Sequence, residues 1–84
     1  MSYSQLAQML EEQFEWPGPY LFKFVVPAAK ESDVRALLGD AEITTRASKN
    51  GTYVSVSATV TLDSPRAVVE VYLRAEKIDG LLSI

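Results

Sequence analysis

The chain contains no cysteine and no histidine, which removes the thiolate nucleophile, the Ser-His and Cys-His relays, and the usual ligands of zinc, copper, haem and iron–sulfur centres. Reactive chemistry is left to Asp, Glu, Lys, Arg, Tyr, Ser and Thr. Glu11, Glu12 and Glu15 are close enough in one helical stretch to suggest a metal or acid–base site, but they lie across from Leu6, Leu10 and Phe14 and read as a solvated face. Lys23 is the one charge in an otherwise apolar strand, and a desolvated amine can act as a nucleophile. Its face-mates Leu21 and Val25 place it on an open sheet surface, where the amine reaches water. No two carboxylates share a core-facing position where burial could push their pKa values apart. These residues predict a protein that is not an enzyme and takes no metal or cofactor.

Lys49-Asn50-Gly51-Thr52-Tyr53-Val54-Ser55-Val56 sets a basic residue and a glycine before alternating outward positions, the order found in the central strand of RNA-recognition motifs. Stacking on bases needs aromatics at those positions, and here only Tyr53 supplies one, followed outward by Ser55, Ser57 and Thr59. The formal charge is −3, and Glu11, Glu12 and Glu15 are the only charged residues before Pro17, so the remaining eight basic and eight acidic residues leave the main body neutral. Without a Lys/Arg cluster there is no footprint for nucleic acid or an anionic membrane. No apolar run approaches the ~18 residues that span a bilayer, and the opening Met-Ser-Tyr-Ser-Gln lacks the basic and apolar regions of a leader. The expectation is a cytoplasmic protein with no membrane and no nucleic-acid partner.

The 84 residues make one small domain, with a stability of about 4–10 kcal/mol. Ser4 to Phe14 carries Leu6, Met9 or Leu10, and Phe14 at helical spacing and predicts a short amphipathic helix, ended by Trp16-Pro17-Gly18-Pro19. Trp16 either caps the core beneath that helix or anchors a partner. Tyr20 to Val26 alternates Tyr20, Phe22, Phe24 and Val26 inward against Leu21, Lys23 and Val25, a first strand. Lys30 to Leu38 predicts the first core helix, with Ser32 or Asp33 capping its first turn and Gly39 as its left-handed C-cap.

Asn50-Gly51 between two alternating runs predicts a hairpin with a type I′ turn, in which both residues take positive φ. Counting outward from it pairs Ala47 with Val54, Thr45 with Val56 and Ile43 with Ala58 on one inward face, and Arg46 with Ser55 and Thr44 with Ser57 on the other. Ser64-Pro65 starts a second core helix carrying Val68, Val71 or Tyr72, Ala75 and Ile78, with Glu70 and Arg74 paired outward and Gly80 closing it. Leu81 to Ile84 is a last short strand, with Leu82 and Ile84 inward. A helix followed by βαββαβ, with right-handed crossovers, predicts an α+β fold. It is a ferredoxin-like two-layer sandwich on a four-stranded antiparallel sheet of order 4-1-3-2, with an extra N-terminal amphipathic helix. Residues 1–18 form that helix and its linker, and residues 19–84 the ferredoxin-like domain.

Trp16-Pro17 with Tyr20-Leu21-Phe22-Lys23, then Ser48 to Val56, then Val71-Tyr72 with Lys77-Ile78-Asp79-Gly80-Leu81 resemble the YbeD-like family of small bacterial proteins of unknown function. The likeness runs from about Leu6 onward, and Ser-Lys-Asn-Gly-Thr-Tyr-Val-Ser is its most specific part. It implies an ACT-like ferredoxin fold, a bacterial cytoplasmic source and no established activity. The first core helix is shorter than the family's, and the N-terminal one slightly longer. Ligand-binding ACT domains carry glycine between the first strand and the first core helix, where this chain has Pro27-Ala28-Ala29.

The reading that results is a regulatory or protein-interaction module, with an unknown protein partner or self-association. An ACT-type sensor of a small-molecule ligand is the alternative, and a weak RNA binder comes third. The candidate surface is the uncovered sheet face: Leu21, Val25 and Leu81 as an apolar patch edged by Lys23, Arg46 and Tyr53, with Trp16 as a further anchor. Two arrangements remain open: that face free for docking, or covered by the N-terminal helix through Leu6, Leu10 and Phe14.

Overall fold

A computed structural model describes residues 2–39 and 41–83 of the chain. Ser2 caps helix α1 (Tyr3–Gln13) through a reciprocal capping box: its Oγ accepts from the Gln5 N–H at 3.2 Å, and Gln5 Oε1 accepts from the Ser2 N–H at 3.3 Å. Strand β1 (Gly18–Pro27) buries Phe22, Phe24 and Val26 completely. A 3-10 turn (Ala28–Lys30) leads into α2 (Glu31–Leu38), whose start has no side-chain cap, so neither Ser32 nor Asp33 closes it. Glu31 and Asp33 still place negative charge at its first turn. Helix α3 (Pro65–Ala75) begins as expected, with Ser64 Oγ accepting from the Ala67 N–H at 3.3 Å and Pro65 in the first turn. It stops at Ala75, and Ile78 packs on the core from the turns that follow.

The sheet is antiparallel, in the order β2 (Glu42–Ala47), β3 (Tyr53–Leu62), β1, β4 (Leu82–Ser83). This is the expected 4-1-3-2 order read from the other side, with β1 and β3 central. The hairpin register is also as read, with Ala47 beside Val54, Thr45 beside Val56 and Ile43 beside Ala58. Its turn is not. Among the described residues only glycines take positive φ, so Asn50 lies in the ordinary region while Gly51 sits at +71°. The Gly51 N–H donates to Ser48 C=O at 2.9 Å, and Ser48 Oγ accepts from the Tyr53 N–H at 3.1 Å. The connection is thus a four-residue loop, which needs the left-handed region only at its glycine.

The core joins Leu10 of α1 to Phe22, Phe24 and Val26 of β1, Val34 and Leu38 of α2, Val54, Val56 and Ala58 of β3, and Val68 and Ala75 of α3. Each fully buried Phe, Leu or Val contributes about 1.5–3 kcal/mol. Tyr72 extends the core outward, its ring edge-on to Phe22 at 5.3 Å and stacked under Tyr3 at 6.5 Å. The core reaches β2 at Ile43 but not at the hairpin end of the strand. Thr45 and Ala47, expected to be covered on their inward face, are exposed, because α2 has only eight residues and packs over β3 and β1. The expected Glu70–Arg74 pair is not made. Among the described residues the one ion pair within 4.0 Å is Arg35 Nε to Glu31 Oε2 at 2.8 Å, one turn of α2 apart and worth a few tenths of a kcal/mol.

Candidate functional site

Helix α1 decides which surface is free. Leu10 enters the core, Tyr3 Oη donates to Glu76 Oε1 at 2.6 Å, and α1 lies along α3. The helix therefore adds to the helical layer and leaves the opposite sheet face uncovered, so the arrangement with Leu6, Leu10 and Phe14 laid over that face does not occur. Trp16 closes the bottom of this packing. Its Nε1–H donates to the Leu10 carbonyl at 3.1 Å, a second bond to an oxygen that already accepts from the Phe14 N–H at the end of α1. Trp16 thus caps the core and is not presented as a free anchor.

The register puts the open face in rows. Arg46, Ser55, Val25 and Leu82 are neighbours across all four strands; the next row is Thr44, Ser57 and Lys23, and the next Glu42, Thr59 and Leu21. Lys23 therefore lies between Leu21 and Val25 along β1, with Arg46 diagonally beyond the serines. Tyr53, 45% exposed, stands two residues beyond Ser55 at the end of the same face. Thr44, Arg46, Ser55, Ser57 and Lys23 line a shallow depression of about 330 Å³. Among the described residues neither Lys23 nor Arg46 has a carboxylate within 4.0 Å.

Leu81 is not on this face. It packs against the core, and Leu82, expected inward, is 62% exposed beside Val25. The cause is the turn before it: Gly80 takes φ +79° and the Leu81 N–H donates to Ile78 C=O at 3.2 Å, so the turn consumes Leu81 and the strand starts one residue later. A shift of one residue exchanges the two faces of a strand. Ile84, also expected inward, lies outside the described residues. The apolar patch is thus Leu21, Val25 and Leu82, with Leu21 49% exposed.

The pattern did not announce two polar contacts, Tyr3 to Glu76 and Tyr20 Oη to Tyr72 Oη at 3.0 Å. For Tyr20 and Tyr72, tyrosine at a core-facing position was the available signal, since a half-buried phenol needs a partner, whereas the exposed Tyr3–Glu76 contact had none. Both displaced phenols move away from reactivity. Tyr3 is raised above its usual value mainly by its bond to Glu76, and Tyr72 by burial and then by Tyr20. Among the described residues no three His, Cys, Asp or Glu side chains gather closely enough for a metal ion, and no helix is long and apolar enough to cross a membrane.

A family model described as a protein of unknown function, DUF493, matches residues 11–82. The chain belongs to that family. The DUF493 match takes in every residue of the open face and Trp16, and it is consistent with the YbeD-like resemblance of the motifs around Trp16, Asn50-Gly51 and Gly80. No curated protein and no solved structure matches the chain.

Proposed function

We propose that this DUF493 chain is a regulatory interaction module without chemistry of its own, ferredoxin-like and ACT-like in fold. It docks an acidic segment of another protein, flanked by apolar side chains, on its open sheet face. The observation that carries the reading is Lys23, a cation between Leu21 and Val25 with no described carboxylate within 4.0 Å. A cation beside an exposed leucine patch offers both the charge that orients a carboxylate and the apolar area that retains it. The alternative, an ACT-type small-molecule sensor, has only fold analogy behind it.

The test captures partners from cell extract with wild type, Lys23→Glu and Leu82→Ser, then titrates each purified partner against the same three proteins, with Lys77→Glu as a charge control on the exposed turn after α3. The expected partner has a carboxylate-bearing contact segment and binds at least tenfold more weakly to Lys23→Glu and to Leu82→Ser, but normally to Lys77→Glu. Equal affinity for all of them would overturn the docking face. A metabolite that raises the melting temperature, with no protein partner recovered, would move the protein to the sensor class.

A further inference from the structure

Strand β2 is a free edge of ordinary strand length, whereas β4, at the opposite edge, has two residues among those described. Five of its six residues are exposed. Two devices that commonly protect an edge are absent from it: it has no proline within Glu42–Ala47 and no bulge interrupts its register with β3. Its charged residues, Glu42 and Arg46, have opposite signs and stand four positions apart on one face.

The hydrogen-bonding phase of the edge follows from the hairpin. The Ser48 N–H donates to Tyr53 C=O at 2.8 Å, and the same register continues through Arg46 with Ser55, Thr44 with Ser57 and Glu42 with Thr59. Because antiparallel pairs alternate, those residues turn their backbone groups toward β3, and Ile43, Thr45 and Ala47 turn theirs outward. A strand added at this edge must meet them with outward-turned residues of its own. A second copy of β2 does so when a two-fold axis passes through Thr44. Ile43 then faces Thr45 of the second copy, and the reverse, giving four backbone hydrogen bonds. Glu42 faces Arg46 of the second copy, twice, at non-hydrogen-bonded positions where side chains approach most closely. Within β2, centring the axis on Ile43 or Thr45 pairs neither charge with its opposite.

We propose that two copies of this chain associate through β2, antiparallel about Thr44, into one eight-stranded sheet. The pairing covers Thr45, which the helical layer leaves exposed. A two-fold axis normal to the sheet also sets both open faces side by side, so two Lys23 and Leu82 patches face the same way. The edge and the docking face share Arg46, but Lys23 and Leu82 take no part in the pairing, so loss of partner binding in Lys23→Glu or Leu82→Ser and loss of the dimer in Glu42→Arg are read separately.

The test uses charge exchange, read by sedimentation equilibrium of the full chain. Wild type is expected to be a concentration-dependent dimer. Glu42→Arg alone and Arg46→Glu alone each place like charges together twice and should weaken it about tenfold or more. An equimolar mixture of the two, and the double variant E42R/R46E, should dimerise again, because both restore opposite charges. A second measurement exploits the absence of cysteine. Thr44→Cys should oxidise to a covalent dimer, since facing Cα atoms ~4.5 Å apart at a non-hydrogen-bonded pair are within disulfide reach, while Thr59→Cys in the interior of the face should not. Wild type remaining monomeric at about 0.5 mM, where any dimer with a micromolar Kd would be populated, would overturn the proposal. So would single variants as tight as wild type, a double variant as weak as the singles, or equal cross-linking of the two cysteine variants.

Discussion

The hydroxyl of Tyr20 on β1 and that of Tyr72 on α3 meet at 3.0 Å, so a polar contact joins the sheet to the helical layer at the rim of an aromatic cluster. Burial, and then this contact, hold the Tyr72 phenol above its usual value. The fold therefore favours the neutral phenol. Its contribution to stability is complete below the unfolded phenol pKa of about 10 and is lost as pH rises from there toward the higher folded value. Urea unfolding at a series of pH values should show stability falling above about pH 10, with a shallower fall in Tyr72→Phe. At neutral pH that variant should cost about 1 kcal/mol, since the Tyr20 hydroxyl loses its partner.

Tyr3 offers a cleaner readout of the α1–α3 contact. Its pKa is raised chiefly by the hydrogen bond to Glu76, so alkaline titration followed by phenolate absorbance should shift one tyrosine downward in Glu76→Gln. An unchanged titration would show that the two helices do not meet at this end in solution.

If α1 belongs to the core, removing its buried side chain should act like any core truncation. Leu10→Ala should destabilise the protein by about 2–5 kcal/mol, and Trp16→Phe, which deletes the bond to the Leu10 carbonyl, by about 0.5–1.5 kcal/mol. Denaturant melts decide this, and a Leu10→Ala protein as stable as wild type would make the helix a loose appendage.

The two turn glycines differ in a way that ranks their variants. Gly51 has φ +71° and open space where a side chain would go, so Gly51→Val should cost about 1–3 kcal/mol of backbone strain alone. Gly80 has φ +79°, and a Cβ there would approach Pro27 Cγ to 2.7 Å, so Gly80→Val should cost more. Melts of the pair check the order.

Leu21 and Leu82 are exposed enough that replacing either with serine should change stability by no more than about 0.5 kcal/mol. A large loss in either variant would mean the open face is covered by part of the chain.

Strand order and hairpin register were legible because alternation and a glycine turn constrain each other: the count outward from Gly51 sets Ala47, Thr45 and Ile43 on the same face as Val54, Val56 and Ala58, whereas a shift of one residue would bring the polar face of β2 to them. Local chemistry was less so. A glycine predicts positive φ for itself and says little about Asn50, whose conformation follows from a loop length set by the Ser48 hydroxyl. At the last strand, hydrophobic residues at both Leu81 and Leu82 gave the pattern no way to choose a face, and a turn one residue longer chose it. Amphipathicity left Met9 or Leu10 as the buried residue and did not say against which layer it would pack. Nor does strand periodicity report how far the helices extend, which is why Thr45 and Ala47 read as covered. The candidate face kept Leu21, Lys23, Val25, Arg46 and Tyr53 together, and exchanged one leucine for its neighbour.

The bond from Tyr3 to Glu76 spans 73 positions of sequence, and it has a consequence for how the protein is made. Helix α1 leaves the ribosome before its docking partner, α3, has been synthesised. Until then Leu6 and Leu10 have no helical layer to join, and a helix of eleven residues is marginal by itself in water. Helix α1 therefore waits, largely unstructured, while the hairpin closes locally, and its docking brings together segments far apart in the sequence.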